Sequence, residues 1–370
     1  LVGNHLSFLM FTHAAIYPEE KWPKGTVVFG MGLLEGNKMS SSKGNVILLA
    51  DAIKEYSADV VRLFLMASAE PWQDFDWREK EVKGTQRRLE WFREFAQKVE
   101  DIKGEKLDLS NIEEVALERS IDKWMISQLN VHIKAATEAL EVFQTRQALQ
   151  HALFLLKKDL DHYMYRVKDL VDKQDPAVIY VLSTVLSNWI RLLAPFTPHS
   201  SEELWEKFGG EGFVSFAKWP EYDEELISEE IERSESLVQN IVKDINEIKN
   251  IVDTVPEKIH LYLAPDWKWE LYKIADEVGK PDIGQIMGRA IGQNIYDNKK
   301  EIANVAKKIS KEMTKTRYIG KIDEATILND AKDFIEAEVE SEVIIHTDDS
   351  YDPQNKARNA MPYKPAIFME

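Results

Sequence analysis

The stretch Lys38-Met39-Ser40-Ser41-Ser42-Lys43-Gly44-Asn45 concentrates more chemistry than any other part of this chain. It carries two ammonium groups and three hydroxyls in one polar loop. Lysines are point charges for phosphate oxygens, and hydroxyls and loop N–H groups donate to the same oxygens. Before the loop, Gly25-Thr26-Val27-Val28-Phe29-Gly30-Met31-Gly32 reads as a short buried strand entering a turn. After it, Val46-Ile47-Leu48-Leu49 leads into Asp51-Ala52-Ile53-Lys54-Glu55-Tyr56, the start of a helix with an acidic first turn. Strand, loop and helix in that order can hold a polyphosphate. On composition alone, a Lys/Ser-rich loop is first of all a solvated surface turn. It is not a P-loop, because no G-x-x-x-x-G-K-[ST] occurs and only Asn37 separates Gly36 from Lys38.

The elements that must position this loop belong to a sizeable chain. At 370 residues it predicts two or three domains, and 44% apolar with 30% charged residues fits a globular protein. No run of eighteen apolar residues occurs, so no membrane span and no membrane partner is expected. There are no cysteines, which excludes disulfides, a thiolate metal site and a thiol nucleophile, and fits a cytoplasmic protein. A net charge of −17 argues against a general polyanion-binding surface, so a nucleic-acid partner would need local basic patches. No signal peptide opens the chain. Its first residue is Leu1, and we expect a piece of something longer.

Residues 1–80 read as α/β structure. Gly3-Asn4-His5-Leu6 opens an apolar helical run through Phe8, Leu9, Phe11 and His13. Glu70-Pro71-Trp72-Gln73-Asp74-Phe75-Asp76-Trp77 reads as a loop that anchors aromatics before the next helix. Residues 81–225 read as long amphipathic helices. Leu89, Phe92, Phe95 and Val99 recur at helical spacing, as do Met125, Leu129, Ile133 and Ala136, and then Ala148, Ala152, Leu155, Leu156 and Leu160. The almost wholly apolar helix from Ile179 to Leu193 belongs at the centre of a bundle. Pro195 and Pro198 stop it, a polar residue near Thr197 caps the next helix, and Glu202 or Glu203 lies in that helix's first turn. His199 with Glu202 and Glu203 has the wrong spacing for a zinc-binding helix and reads as structural.

In residues 226–370, Leu237, Ile241, Ile245 and Ile248 form an apolar stripe. Lys258-Ile259-His260-Leu261-Tyr262-Leu263 alternates like a strand, and Val343-Ile344-Ile345-His346 is another. A basic helix over 299–317 carries Lys299, Lys300, Lys307, Lys308, Lys311, Lys315 and Arg317. Seven basic residues stand against three acidic ones between Asp297 and Arg317, either a solvated face or a patch for phosphates. The tail Met361-Pro362-Tyr363-Lys364-Pro365-Ala366-Ile367-Phe368-Met369-Glu370 is kept extended by its prolines, with an apolar tip that is packed or used for contact.

The loop resembles the K-M-S-K-S signature of class I aminoacyl-tRNA synthetases in its extended form ending K-G-N-V. The signature's second lysine is Ser41 here, with Lys43 two residues on. Ser57-Ala58-Asp59-Val60-Val61-Arg62-Leu63 is similar to the G-A-D-x-x-R-h segment that follows the signature. On structural grounds Asp59 and Arg62 read as an ion pair holding the helix against the sheet. Leu193 to Trp205 resembles the L-x-P-F-x-P-H-x-x-E-E-L-W segment of the anticodon-binding bundles of the leucine, isoleucine, valine and methionine enzymes. Gly30-Met31-Gly32, Phe75-Asp76-Trp77 and the tail make the whole chain look like the C-terminal part of an archaeal or eukaryotic-type leucyl-tRNA synthetase.

The resemblance implies a multidomain chain, mainly α with α/β. Residues 1–80 would be the C-terminal half of a class I nucleotide-binding domain, 81–225 a helical anticodon-binding bundle and 226–370 a small α/β tRNA-binding domain. It implies ATP with Mg²⁺, and no metal site of the protein's own. Lys38 and Lys43 would be the catalytic cations. Phe29, Gly30 and Met31 with Lys38, Met39, Ser40, Ser41, Ser42 and Lys43 would bind ATP. His5 matches a histidine in the family segment near the nucleotide, or makes a hydrogen bond at a helix start.

Lys307, Lys308, Lys311, Lys315, Arg317 and the tail residues Ile367, Phe368, Met369 and Glu370 would contact tRNA-Leu at its long variable arm. Arg87, Arg88, Arg146 and Arg166 would line the bundle's tRNA side or serve as salt-bridge partners. The H-I-G-H signature, the first half of the nucleotide sheet and the editing insertion are not in this sequence. The expectation is therefore a part inactive alone, taking leucine only with an N-terminal half supplied in cis or in trans. The alternatives are the same half of an isoleucyl-, valyl- or methionyl-tRNA synthetase, a non-catalytic tRNA-binding module, or a helical scaffold that binds proteins.

Overall fold

The computed structural model describes residues 5–26, 28–252, 256–279, 281–313, 317–347 and 351–370. Among these residues the chain is mainly helical, with two three-stranded sheets.

Helix α1 (Ser7–Ile16) buries none of its side chains. Strands β1 (Gly32–Leu34) and β2 (Asn37–Lys38) form a tight hairpin, followed by α2 (Leu49–Tyr56), α3 (Ala58–Ser68) and β3 (Phe75–Trp77). The first sheet has the order β2-β1-β3, with β1 antiparallel to β2 and parallel to β3. The hairpin turns at Glu35 and Gly36, with φ of 49° and 77°. Two left-handed residues in succession match the right-handed twist of the flanking strands. The buried strand expected over 25–32 is corrected to Gly32–Leu34, which is half-buried. The ladder exists only where β3 runs alongside, so Val28, Phe29 and Met31 stay exposed and outside it.

Helix α4 (Glu79–Lys103) buries Leu89, Phe92, Phe95 and Val99, the stripe read from the sequence. It ends at Gly104, whose φ of 73° closes the last turn. Then come α5 (Ser120–Glu141), α6 (Thr145–Leu149), α7 (Leu156–Arg166), α8 (Lys168–Val171), α9 (Pro176–Leu193) and α10 (Pro198–Lys207), with a π-helical turn over Gln150–Leu155. Helix α9 is long and apolar enough by composition to cross a membrane, but 61% of that window is buried inside the protein. Trp189 on α9 meets the rings of Phe92 and Phe95 at 5.2 and 5.7 Å and donates its indole N–H to Ala152 O at 2.6 Å. A buried Trp needs such an acceptor.

Helix α11 (Glu229–Val252) precedes β4 (Lys258–Tyr262). Helices α12 (Asp266–Val278), α13 (Ile283–Gly292), α14 (Lys299–Glu312), α15 (Glu324–Asp330) and α16 (Lys332–Val339) lead to β5 (Glu342–His346), and β6 (Ala366–Met369) follows. The second sheet has the order β5-β4-β6. Strands β4 and β5 are parallel, so a crossover must join them, and the five helices are that crossover. Leu261 faces Ile367 across the antiparallel β4–β6 pair. Strand β4 lies in the middle, and its residues from Ile259 to Tyr262 are buried on both faces. The core beneath combines Ile259, Leu261, Trp269, Leu271, Ile302 and Ile309 with Ile335 and Val343. The basic helix expected over 299–317 ends at Glu312.

The chain divides into two compact units, each drawn from three stretches. One holds Leu1–Glu113, His132–Lys158 and Leu182–Tyr222; the other holds Glu114–Val131, Asp159–Val181 and Asp223–Glu370.

Candidate functional site

The polar loop grows directly out of the β1–β2 hairpin. Lys38 ends β2 opposite Leu33. Ser40 and Asn45 then pair as an isolated antiparallel bridge, Ser40 N donating to Asn45 O at 2.9 Å and Asn45 N returning to Ser40 O at 3.2 Å. Between them Ser41–Lys43 forms one 3₁₀ turn, and Gly44, with φ of 68°, closes it. The Ser40 and Ser42 hydroxyls lie 3.0 Å apart, and the Asn45 amide donates to Lys38 O at 3.3 Å. The turn thus consumes backbone groups in its own closure and leaves both lysines at the rim. Lys38 and Lys43 are exposed, and among the described residues neither has an ion-pair partner. The side of the hairpin towards α2 is a cleft lined by Glu35, Asp51, Glu55 and Glu79, a field that repels phosphate. The two exposed ammonium groups lie at the rim of the turn, apart from that acidic lining.

The hairpin tip is fastened to β3. Gly36 N donates to Asp76 Oδ1 at 2.9 Å, and Arg78 Nε donates to Asp76 Oδ2 at 2.7 Å. The Gly36 N–H, then Arg78, hold the Asp76 carboxyl below the usual range. Upstream, the Phe29-Gly30-Met31 segment is fastened to the loop 70–75. Gly30 N donates to Pro71 O at 2.9 Å, Met31 N to Asp74 Oδ1 at 2.6 Å, and Phe75 N to Met31 O at 3.1 Å. A Cβ at Gly30 would overlap the Gln73 carbonyl, so only glycine allows this approach. Phe29 itself is 72% exposed. Sequence reasoning read 70–77 as an aromatic anchor and missed the role of Asp74; the polar pair Gln73-Asp74 inside an aromatic loop was the signal. His5 is exposed ahead of α1.

The segment after the loop serves a different purpose from the expected ion pair, and this is a correction. Asp59 and Arg62 do not pair with each other; both reach the Leu193–Trp205 segment. Asp59 is 3% exposed, and its carboxylate accepts from Ser200 N at 2.6 Å, Ser200 Oγ at 2.6 Å and His199 N at 3.2 Å. Arg62 donates to Pro195 O at 2.7 Å. Helix α10 is therefore capped by a carboxylate from α3. Thr197, expected to be near the cap, instead donates its hydroxyl back to Leu193 O at 3.2 Å. Glu202 falls beyond the first turn and accepts from Val214 N at 3.1 Å. A second loan of the same kind starts α6: Glu70 accepts from Arg146 N at 3.2 Å and from Gln147 N at 3.0 Å. Both helix starts expose N–H groups that need acceptors, and carboxylates suit that end of the dipole.

The other predicted residues lie at the far end of the sequence. Lys307, Lys308 and Lys311 are exposed on α14, whose Ile302, Val305, Ala306 and Ile309 face the core. Lys315 lies outside the described residues. Arg317 is exposed, beyond the helix, 3.4 Å from Glu229. The apolar tail is packed: Ile367 and Phe368 are in β6, and Phe368 lies 5.6 Å from the His260 ring. Met369 pairs with Ile259, and the Glu370 carboxylate lies 3.2 Å from His260 Nε2. Lys268 Nζ donates to Arg358 O at 2.8 Å and Ala360 O at 2.7 Å, and burial pulls its amine down to about 8. Glu324 accepts from Tyr363 N at 2.7 Å, and burial pushes its carboxyl up to about 7 despite that bond. Among the arginines, Arg166 lies 3.1 Å from Glu235 and over the Phe334 ring, and Arg88 lies over Phe154. Arg87 and Arg146 are exposed.

Comparison with known proteins adds names to this geometry. Residues 5–88 match the family described as tRNA synthetases class I (M), and residues 122–260 match the anticodon-binding domain of tRNA ligase. A leucine–tRNA ligase of Methanothermobacter thermautotrophicus is 55% identical over all of this chain, which covers 39% of that relative. One from Pyrococcus furiosus is 44% identical, again over the whole chain and 37% of the relative. A solved ternary complex of Agrobacterium radiobacter K84 agnB2 LeuRS, tRNA and LeuAMS is 26% identical over 60% of this chain and 27% of its own, with a TM-score of 0.48. The chain thus spans well under half the length of the curated relatives it matches.

Proposed function

Since the chain is homologous along its whole length to a segment of archaeal leucine–tRNA ligases, we propose that it supplies the nucleotide-signature loop and the tRNA-recognition parts of such an enzyme. In the first step a leucine carboxylate oxygen attacks the α-phosphorus of ATP, the bond to the β-bridging oxygen breaks, and pyrophosphate leaves. In the second, a hydroxyl of the tRNA's 3′-terminal ribose attacks the leucyl carbonyl and AMP leaves. Such displacements depend on positioning and charge stabilisation.

The observation that carries the reading is the closed turn at Ser40–Asn45 that presents Lys38 and Lys43 at its rim. Their ammonium groups neutralise charge growing on the β- and γ-phosphates, and Ser40 to Ser42 with Met39 complete the loop around ATP. ATP enters as its Mg²⁺ complex. The backbone of Phe29 to Met31 lies on the adenine side: it enters β1 at Gly32, the same end of the sheet at which Lys38 leaves β2 for the loop. We assign 1–80 to the nucleotide domain, 81–225 to the anticodon-type bundle and 226–370 to the C-terminal tRNA-binding domain. Lys307, Lys308, Lys311, Lys315 and Arg317 are the proposed contacts to tRNA-Leu; of the tail, packed along β4 with Phe368 buried, only the half-buried Ile367 and Met369 and the exposed Glu370 are left to join them. Leucine is activated only when the N-terminal part of the enzyme is joined to this one, and the cysteine-free composition supports a cytoplasmic location.

The test is leucine-dependent ATP–pyrophosphate exchange by the assembled enzyme. Lys38→Ala and Lys43→Ala are each expected to lower kcat on the order of 100-fold, as loss of one charge-stabilising donor does elsewhere. Unchanged exchange in the double variant would remove the loop from the reaction.

A further inference from the structure

We propose that Asp74 is a positioning residue for the nucleotide: its carboxylate fixes the Gly30–Met31 backbone against which the adenine end of ATP rests. The inference deepens the reading above and rests on it.

Among the described residues, three hydrogen bonds tie the segment from Gly30 to Met31 to the loop 70–75; two are backbone pairs, and the third is the only one made by a side chain. Asp74 Oδ1 takes the Met31 N–H at 2.6 Å, a short bond to a charged acceptor. Beyond these three bonds, this stretch has little to hold it. Val28, Phe29 and Met31 are exposed, and the strand ladder begins only at Gly32. Burial therefore contributes little order to the segment, and its conformation follows from these bonds. The close approach of Gly30 to the Gln73 carbonyl makes the arrangement intolerant of displacement.

The loop that carries Asp74 is itself held. Gln73 N donates to Glu70 O at 2.8 Å, and Glu70 N donates to Gln73 Oε1 at 3.2 Å. The Glu70 carboxylate meanwhile caps α6. Asp74 thus stands on a loop closed by the Glu70 backbone and Gln73, and adds a side-chain bond to a segment otherwise held by two backbone bonds. A carboxylate held by a rigid loop transmits rigidity to whatever it binds, and nucleotide sites need that in their supporting groups.

Glu70 provides the contrast that separates positioning from stability. It caps a helix on the same loop but does not touch the Gly30–Met31 backbone. Pyrophosphate exchange is measured with the assembled enzyme, together with its melting temperature. Asp74→Ala is expected to raise KM for ATP about tenfold while kcat and KM for leucine stay within about twofold. Asp74→Asn keeps an acceptor oxygen and is expected to recover most of the wild-type KM. Glu70→Ala is expected to lower the melting temperature and leave KM for ATP within about twofold. The inference is overturned if Asp74→Ala leaves KM for ATP unchanged, or if Glu70→Ala raises it equally. Should Asp74→Ala not fold, Asp74→Ser, polar but too short to span the gap, is scored by the same criteria. The Lys38→Ala, Lys43→Ala double variant keeps the two readings apart. Full exchange in that variant removes the nucleotide site altogether, whereas lost exchange there with an unchanged Asp74→Ala removes only the role given to Asp74.

Discussion

Asp59 caps a helix that begins at Pro198: its Oδ2 lies 2.6 Å from the Ser200 amide and its Oδ1 3.2 Å from that of His199. The segment after the polar loop and the proline-rich segment before α10 therefore close on each other, with Arg62 on Pro195 O as the second tie. Arg93 joins from α4, donating to Ser200 Oγ at 3.0 Å. Asp59→Ala leaves two helix-start N–H groups and a buried hydroxyl without their acceptor. It is expected to destabilise by about 3 kcal/mol, and Asp59→Asn by roughly half as much. Urea unfolding of the purified chain measures both.

Ser57 carries a conformational cost. It precedes α3 with φ 79° and ψ 159°, a region that side chains with a Cβ rarely occupy. The matching family pattern has glycine there. The Ser57 hydroxyl does accept from Val60 N, but at 3.5 Å the bond is weak. Ser57→Gly is accordingly expected to stabilise by about 1 kcal/mol, the relief of strain exceeding the lost cap. A lower unfolding midpoint in urea would reverse that ranking.

Glu324 makes stability depend on pH. Its folded value of about 7 lies above its ordinary 4.5, so the folded protein holds this proton more tightly than the unfolded chain does. The stability it contributes is fully present below pH 4.5 and is lost as pH rises through 7. The span corresponds to about 3 kcal/mol. Glu324→Gln should flatten the curve of unfolding free energy against pH in that window. An unaltered slope would mean that the carboxyl ionises as it does in the unfolded chain.

The lysines of α14 are to be judged by salt. If Lys307, Lys308 and Lys311 touch tRNA phosphates, the triple alanine variant should bind tRNA-Leu with a log–log salt slope shallower by roughly 2. A tRNA without a long variable arm serves as control. The same slope in the variant would mark the three as a solvated face. Truncating the tail would be a poor substitute, because 366–369 is a strand paired along β4.

Much of the fold was legible because burial leaves a period. The stripes at Leu89 to Val99 and Leu237 to Ile245 are buried as their spacing requires. The order of residues around Lys38 to Asn45 also survived in the structure as a closed turn. Pairing partners were not legible. The apolar run 25–32 has no built-in sign of where β3 lies alongside it, so the strand came out shorter and later. The tail read equally as packed or free, since β4 is distant in sequence. Nor could the carboxylates of Asp59 and Glu70 be assigned as caps, because sequence patterns search for a cap next to its helix.

Those two caps also bear on the order in which the molecule assembles. The Asp59 carboxylate and the His199 amide are 140 residues apart in sequence, and Glu70 and the Arg146 amide 76. A helix capped by its own neighbour can start locally, but these two starts must wait for long loops to close. The first turns of α6 and α10 thus belong to the late part of folding, and substitutions at Asp59 should accelerate unfolding while leaving the folding rate nearly unchanged.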